Sequence, residues 1–158
     1  CKGLPPRAWD DWQEFEFNPR PAGQVSLVKD AAASNAHAAR MSGSHKLWAV
    51  QFPLLRFSAS ARAPAAPQVC RLVAYVRADA GAQTGAGLAL GVYDFAEKKP
   101  VVSRVVPVQE LAGPAYRAVD LGRVEIRPGR SFWAAPPARK GEVKAVFVDR
   151  VVLINENP

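Results

Sequence analysis

The feature that most restricts this chain is the period of its apolar residues, which alternate in about ten short runs at 12–17, 24–29, 46–52, 69–77, 87–95, 101–108, 116–122, 124–126, 131–136 and 146–154. Successive side chains of a strand point to opposite faces, so a period of two marks strands and a period of 3.6 marks helices. Prolines and glycines separate the runs at the spacing of roughly 8 to 12 residues that suits a β-sandwich or barrel. The expected fold is all-β, a two-sheet antiparallel β-sandwich, with the strands near the two ends of the chain adjacent in one sheet. Helix is scarce. The alanine-rich "DAAASNAHAARM" (30–41) is interrupted by Ser34 and Asn35 and reads as a loop followed by a short strand. "QELAG" (109–113) suits one helical turn before Gly113, and "SASARAPAAPQ" (58–68) suits a polar surface connection.

The last run, "VFVDRVVLI", raises a specific question. Strict alternation puts Phe147, Asp149, Val151 and Leu153 on one face and Val146, Val148, Arg150, Val152 and Ile154 on the other. Both faces are mostly apolar, as in a central strand covered on both sides. An ionised Asp149 in such a strand needs a partner to offset its lost hydration.

Length and composition exclude several classes. With 158 residues, 49% of them hydrophobic, the chain fits one domain over 1–158, with 1–11 as an N-terminal extension or linker. No apolar stretch reaches the ~18 residues of a membrane span. Cys1 and Cys70 are too few for a disulfide framework. Two unrelated thiols, a Cys1–Cys70 pair and a lipid-bearing Cys1 all fit the spacing. The two histidines, His37 and His45, have no metalloprotease or nucleophile motif beside them, and no pair of carboxylates stands out, so no catalytic residues are assigned. A formal charge of +7 favours anionic partners. Nucleic acid is not among them, because the aromatic–basic strand or recognition helix that would read it is missing, and acids interleave with Arg117, Arg123, Arg127 and Arg130.

Aromatic residues point elsewhere. Four tryptophans and three tyrosines are generous for a small β-domain, and several flank loops. Such rings either pack in the core or offer a flat apolar face to sugar C–H groups while nearby polar side chains engage the hydroxyls. "VYDFAEKKP" (92–100) gathers Tyr93, Asp94, Lys98 and Lys99 around one turn, and "ARMSGSHKLW" (39–48) gathers Arg40, His45, Lys46 and Trp48 around another. Trp133 is a weaker platform, since "SFWAAPP" suits burial. The cations on both turns favour a glycan bearing uronate or sulfate.

The order of "VSLVKDAAASNAHAARM", "WAVQF", "LVAYVR", "GVYDF", "YRAVDLG", "SFWAAPP" and "VFVDRVVLI" resembles the galactose-binding-like jelly rolls of bacterial carbohydrate-binding modules, over roughly residues 12 to 156. In that superfamily an "ASNG"-like turn, a middle "Y-x-V-x-V-R"-like strand and a final "V-D-x-x-x-L"-like strand recur in this order. The resemblance implies a non-catalytic, monomeric module of a secreted or cell-surface bacterial protein, extracellular or periplasmic. It also implies a polysaccharide or oligosaccharide ligand and a linked catalytic domain. The alternative is a structural or protein-interaction sandwich of a glycoside hydrolase that binds no sugar. The resemblance further implies a structural calcium held by Glu16, with Glu14 as alternate, by oxygens around Asp30 to Asn35, and by Asp149. Ala36 stands where glycine is common in that turn. Without a metal, Arg150 is available to neutralise a carboxylate.

Overall fold

The structure, a computed structural model, describes residues 7–9, 25–43, 49–57, 68–137, 139 and 142–155, with the backbone alone at 7–9, 56–57 and 155. Its strands are β1 (Arg7–Trp9), β2 (Val25–Lys29), β3 (His37–Ser42), β4 (Val50–Pro53), β5 (Gln68–Ala80), β6 (Ala86–Asp94), β7 (Lys99–Pro107), β8 (Arg117–Ile126), β9 (Arg130–Ala135) and β10 (Val143–Asn155). One sheet has the order β2-β3-β10-β5-β8, with β1 also paired to β10, and the other has the order β4-β9-β6-β7. All of these pairings are antiparallel. The expected two-sheet sandwich is therefore the observed one. The run at 12–17 lies outside the described residues, as do 58–67. Residues 7–9, read above as part of an extension, instead pair with Val151–Leu153 of β10.

Between the sheets, Met41, Phe52, Leu72, Val76, Leu88, Leu90, Val92 and Phe132 are fully buried, and the Phe52 and Phe132 rings stack 5.0 Å apart. Each such side chain contributes on the order of 1.5–3 kcal/mol by leaving water. Cys70 is buried in the same core. The loop-then-strand reading of 30–41 holds. Helix propensity is overridden there because β3 is covered on both faces, with Ala39 and Met41 in the main core and Ala38 in a second cluster with Ala33, Ala145 and Phe147. The short helix α1 (Val108–Leu111) supplies the expected turn before Gly113.

Of the register shifts in the two sheets, those in β8 and in the middle of β10 correct the alternation. Residues 116–122 and 124–126, read as separate runs, belong to one strand, β8, whose pairing with β5 slips between Leu72 and Val73. Gly122 takes up the slip at φ 78°; nothing lies within 4 Å of where its Cβ would be, so conformation rather than space asks for glycine. The second bulge falls in β10. Val148 pairs with Val76 and Arg150 with Tyr75, which leaves Asp149 as the extra residue. The core side chains are consequently Val146 and Val148 before the bulge and Val151 and Leu153 after it, not the sets that strict alternation gives. Without the inserted residue Arg150 would enter the core; with it, the guanidinium lies 3.9 Å over the Tyr75 ring.

β7 is an edge strand. Prolines near both of its ends and Arg104, paired with the core residue Leu90, discourage a further strand from adding there. Arg104 reaches Glu110 at 3.6 Å and the Asp120 carbonyl at 3.3 Å.

Candidate functional site

Asp149 finds its partners in the loop before β3. Ser34 donates its N–H to Asp149 Oδ1 at 2.8 Å and its hydroxyl to the same oxygen at 2.9 Å, while Arg150 Nη1 donates to Oδ2 at 2.6 Å. The bulge lies where the neighbour of β10 changes from β3 to β1, which leaves the carboxylate 1% exposed and facing this loop. Asp30 anchors the start of the same loop. Its Oδ1 accepts the Ala32 N–H at 3.0 Å, and its Oδ2 accepts Arg77 Nη2 at 2.8 Å and the Tyr116 hydroxyl at 2.7 Å. Burial works to raise the Asp30 pKa, but these bonds from Tyr116 and Arg77 hold it below the ordinary carboxylate value. The Arg77 guanidinium also lies 3.8 Å over the Phe147 ring. The loop ends at Ala36 with φ 62°, so alanine adopts the left-handed conformation that glycine takes in the resembled turn.

Calcium takes six to eight oxygen ligands, and of the carboxylates expected to hold it Asp30 and Asp149 both border this loop. N–H, O–H and guanidinium groups donate hydrogen bonds to Asp30 and Asp149. Among the described residues no three acids, histidines or cysteines converge to hold a metal. Glu16 and Glu14 lie outside the described residues.

A second aspartate-anchored turn joins β6 to β7. Asp94 is 0% exposed, and its Oδ1 accepts the N–H groups of Ala96 at 3.1 Å and Glu97 at 3.0 Å. Its Oδ2 accepts Arg127 Nη2 at 2.6 Å and Arg130 Nε at 3.1 Å. Arg127, then the Glu97 N–H, then Arg130 hold its carboxyl far below the ordinary range. Arg127 also pairs with Glu97, which Lys99 meets at 2.6 Å, and Arg130 pairs with Glu125 at 3.3 Å. Phe95 donates its N–H to the Gly129 carbonyl at 2.8 Å, so the turn is bound to the β8–β9 connection. To solvent this turn presents Phe95 together with Ala96, Glu97, Lys98 and Lys99. Phe95 is 45% exposed and meets the partly exposed Tyr93 ring edge-to-face, with centroids 5.1 Å apart.

The predicted carbohydrate residues therefore separate. Tyr93, Lys98 and Lys99 stay together on this turn. Asp94 lies behind it as scaffold, with both oxygens engaged and no exposure to a ligand. Trp133 is 8% exposed, packed where a Cβ on Gly91 would stand 3.2 Å from its ring. Arg40 is on the other sheet, paired with Ser26 and Phe147. His45, Lys46 and Trp48 lie outside the described residues. Of their flanks, Gly43 is bonded to Lys144 near the start of β10, and Ala49 to Ala134, which pairs with Leu90 in the middle of β6. The reading by sequence missed Phe95, although it stands two residues from Tyr93, and also Arg127 and Arg130, for which no local signal exists.

No family model matches this chain, and no curated protein matches it. Solved structures do. A β-(1,4)-mannanase of Podospora anserina, described as GH26-CBM35, is similar at 10% identity and a TM-score of 0.54, over 97% of this chain and 28% of that one. The CBM22-1 xylan-binding domain from a Paenibacillus barcinonensis protein is similar at 14% identity and 0.54, over 84% of this chain and 82% of that one. An exo-β-1,3-galactanase of Phanerochaete chrysosporium is similar at 11% identity and 0.52, over 95% of this chain and 29% of that one. The chain spans less than a third of the mannanase and galactanase structures. At these identities the likeness is one of fold, and it bears out the jelly roll expected from the order of the segments.

Proposed function

We propose that this chain is a non-catalytic carbohydrate-binding module that holds a glycan on Tyr93 and Phe95. The observation that carries the reading is the exposed edge-to-face aromatic pair on a turn held by a fully buried carboxylate. Rings fixed before binding lose little conformational freedom when a sugar stacks on them, so a small contact suffices for weak, reversible capture. The module would bring a linked catalytic domain to a polysaccharide and raise its effective concentration there. The shared fold with structures described as CBM35 and CBM22 supports this reading. The setting proposed is a secreted or cell-surface bacterial protein, with the module monomeric.

A glycan array, followed by affinity electrophoresis on the polymers that score, tests the proposal. The wild type should bind at least one polysaccharide with millimolar-to-micromolar affinity, and a Tyr93→Ala, Phe95→Ala double variant should lose retention at least tenfold while staying folded. Silence of the wild type across the array rejects the proposal. That result would favour a second reading, a module that packs on its parent enzyme.

A further inference from the structure

The charges around the aromatic pair are almost all spoken for. Asp94, Glu97 and Glu125 carry three negative charges, and Arg127, Arg130 and Lys99 carry three positive ones. Every member pairs with another member, so the set is closed and neutral. Lys99 in particular, one of the cations expected to meet a ligand, is taken up by Glu97 at 2.6 Å. Lys98 stands outside the set. It is exposed, three residues beyond Phe95 in the same turn, and makes no ion pair among the described residues. Its backbone is also unusual. Lys98 has φ 53°, and Ala36 is the one other non-glycine residue with positive φ among those described. Glycine is the residue that such a position prefers. A lysine kept there against its backbone preference, beside an exposed aromatic pair and outside a closed charge network, points to a use for the ammonium group rather than to folding.

We infer that Lys98 is the specificity-determining residue of the Tyr93–Phe95 site, and that its ammonium selects glycans bearing a carboxylate or sulfate over neutral ones. The inference rests on the proposed glycan-binding function and deepens it. The aromatic pair supplies contact to any sugar; Lys98 supplies a point charge that only an anionic sugar can use. Because that charge is exposed, its effect is screened by salt, whereas stacking on the rings is not.

The test uses the whole chain in affinity electrophoresis against one neutral and one uronate-bearing polysaccharide, at low and high salt, with melting temperatures measured alongside. Lys98→Gly should raise the melting temperature by about 2–4 °C, since it removes the backbone penalty. The same variant should reduce retention by the acidic polymer at low salt at least fivefold and leave retention by the neutral polymer as in the wild type. Lys98→Met should lose the acidic preference without gaining stability. Lys144→Met, an equal change in net charge at the opposite end of the sandwich, should keep that preference. Unchanged acidic retention in Lys98→Gly, or an equal loss in Lys144→Met, overturns the inference while leaving glycan binding intact. A wild type that binds neither polymer overturns both.

Discussion

The Asp30 loop and the Asp94 turn are built on one plan, on different sheets. In each, an aspartate at the start accepts the N–H two residues on through Oδ1 and offers Oδ2 to arginine. In each, the last residue is a non-glycine with positive φ, Ala36 or Lys98. Their outcomes differ because of what lies between. Ala33 and Ser34 carry the first loop down onto its sheet, Ala33 into the cluster with Phe147 and Ser34 onto Asp149. Phe95 and Lys98 keep the second turn's side chains in solvent. An aspartate–arginine anchor thus makes a loop rigid without deciding whether it closes over a surface or presents one; the small or large residues between the anchors decide that.

The strongest way to break the comparison is to remove the more deeply buried anchor. Asp94→Ala leaves Arg127 and Arg130 without their shared carboxylate, and the melting temperature should fall by roughly 10 °C. A fall of less than 3 °C in a thermal scan would mean that the turn does not depend on Asp94.

Asp149→Ala comes next, with a loss of about 2–3 kcal/mol in urea unfolding, because Ser34 and Arg150 lose their acceptor while Arg150 keeps some contact with water. Chelator separates the two readings of this carboxylate: an unchanged wild-type melting temperature leaves Ser34 and Arg150 as its partners. A chelator-sensitive wild type whose sensitivity vanishes in Asp149→Ala would instead place calcium there.

Ala36→Gly should stabilise the chain by about 1 kcal/mol by relieving the left-handed alanine. It is the counterpart of Lys98→Gly, and it differs in leaving glycan retention untouched. Any loss of retention in Ala36→Gly would show that the two loops are coupled.

Acid separates the loops by the least energy. Both aspartates have folded pKa values below the ordinary 3.8. Each therefore contributes stability that is present above that value and is lost as pH falls through its own folded pKa. The Asp94 carboxyl is lowered further, so on acidification below about pH 3.8 amide exchange at Ala32 should accelerate before exchange at Ala96 and Glu97. The reverse order would contradict the assigned hydrogen bonds.

Much of the fold was legible before any coordinates, and little of the site. The loop-then-strand reading of 30–41 survived although its alanines favour helix, because Ser34 and Asn35 interrupt the segment locally. Tyr93 and Lys98 stay together in the structure because they share one turn in sequence. Asp94 was found for the wrong role: adjacency to a tyrosine suggested ligand contact, whereas its partners Arg127 and Arg130 stand 33 and 36 residues away. Arg40 and Tyr93 were grouped by chemistry, and the strand directions put them at different ends of different sheets.

The sequence by itself determined the class of fold, since alternation reflects the pleat of a single strand and needs no partner to be read. Tertiary structure alone decided the bulges at Gly122 and Asp149, because an extra residue exists only relative to the strand it pairs with. It also decided which carboxylate meets which cation. The hydrogen bond from Ser34 to Asp149 spans 115 positions of the chain, a distance over which charge and spacing leave no local mark.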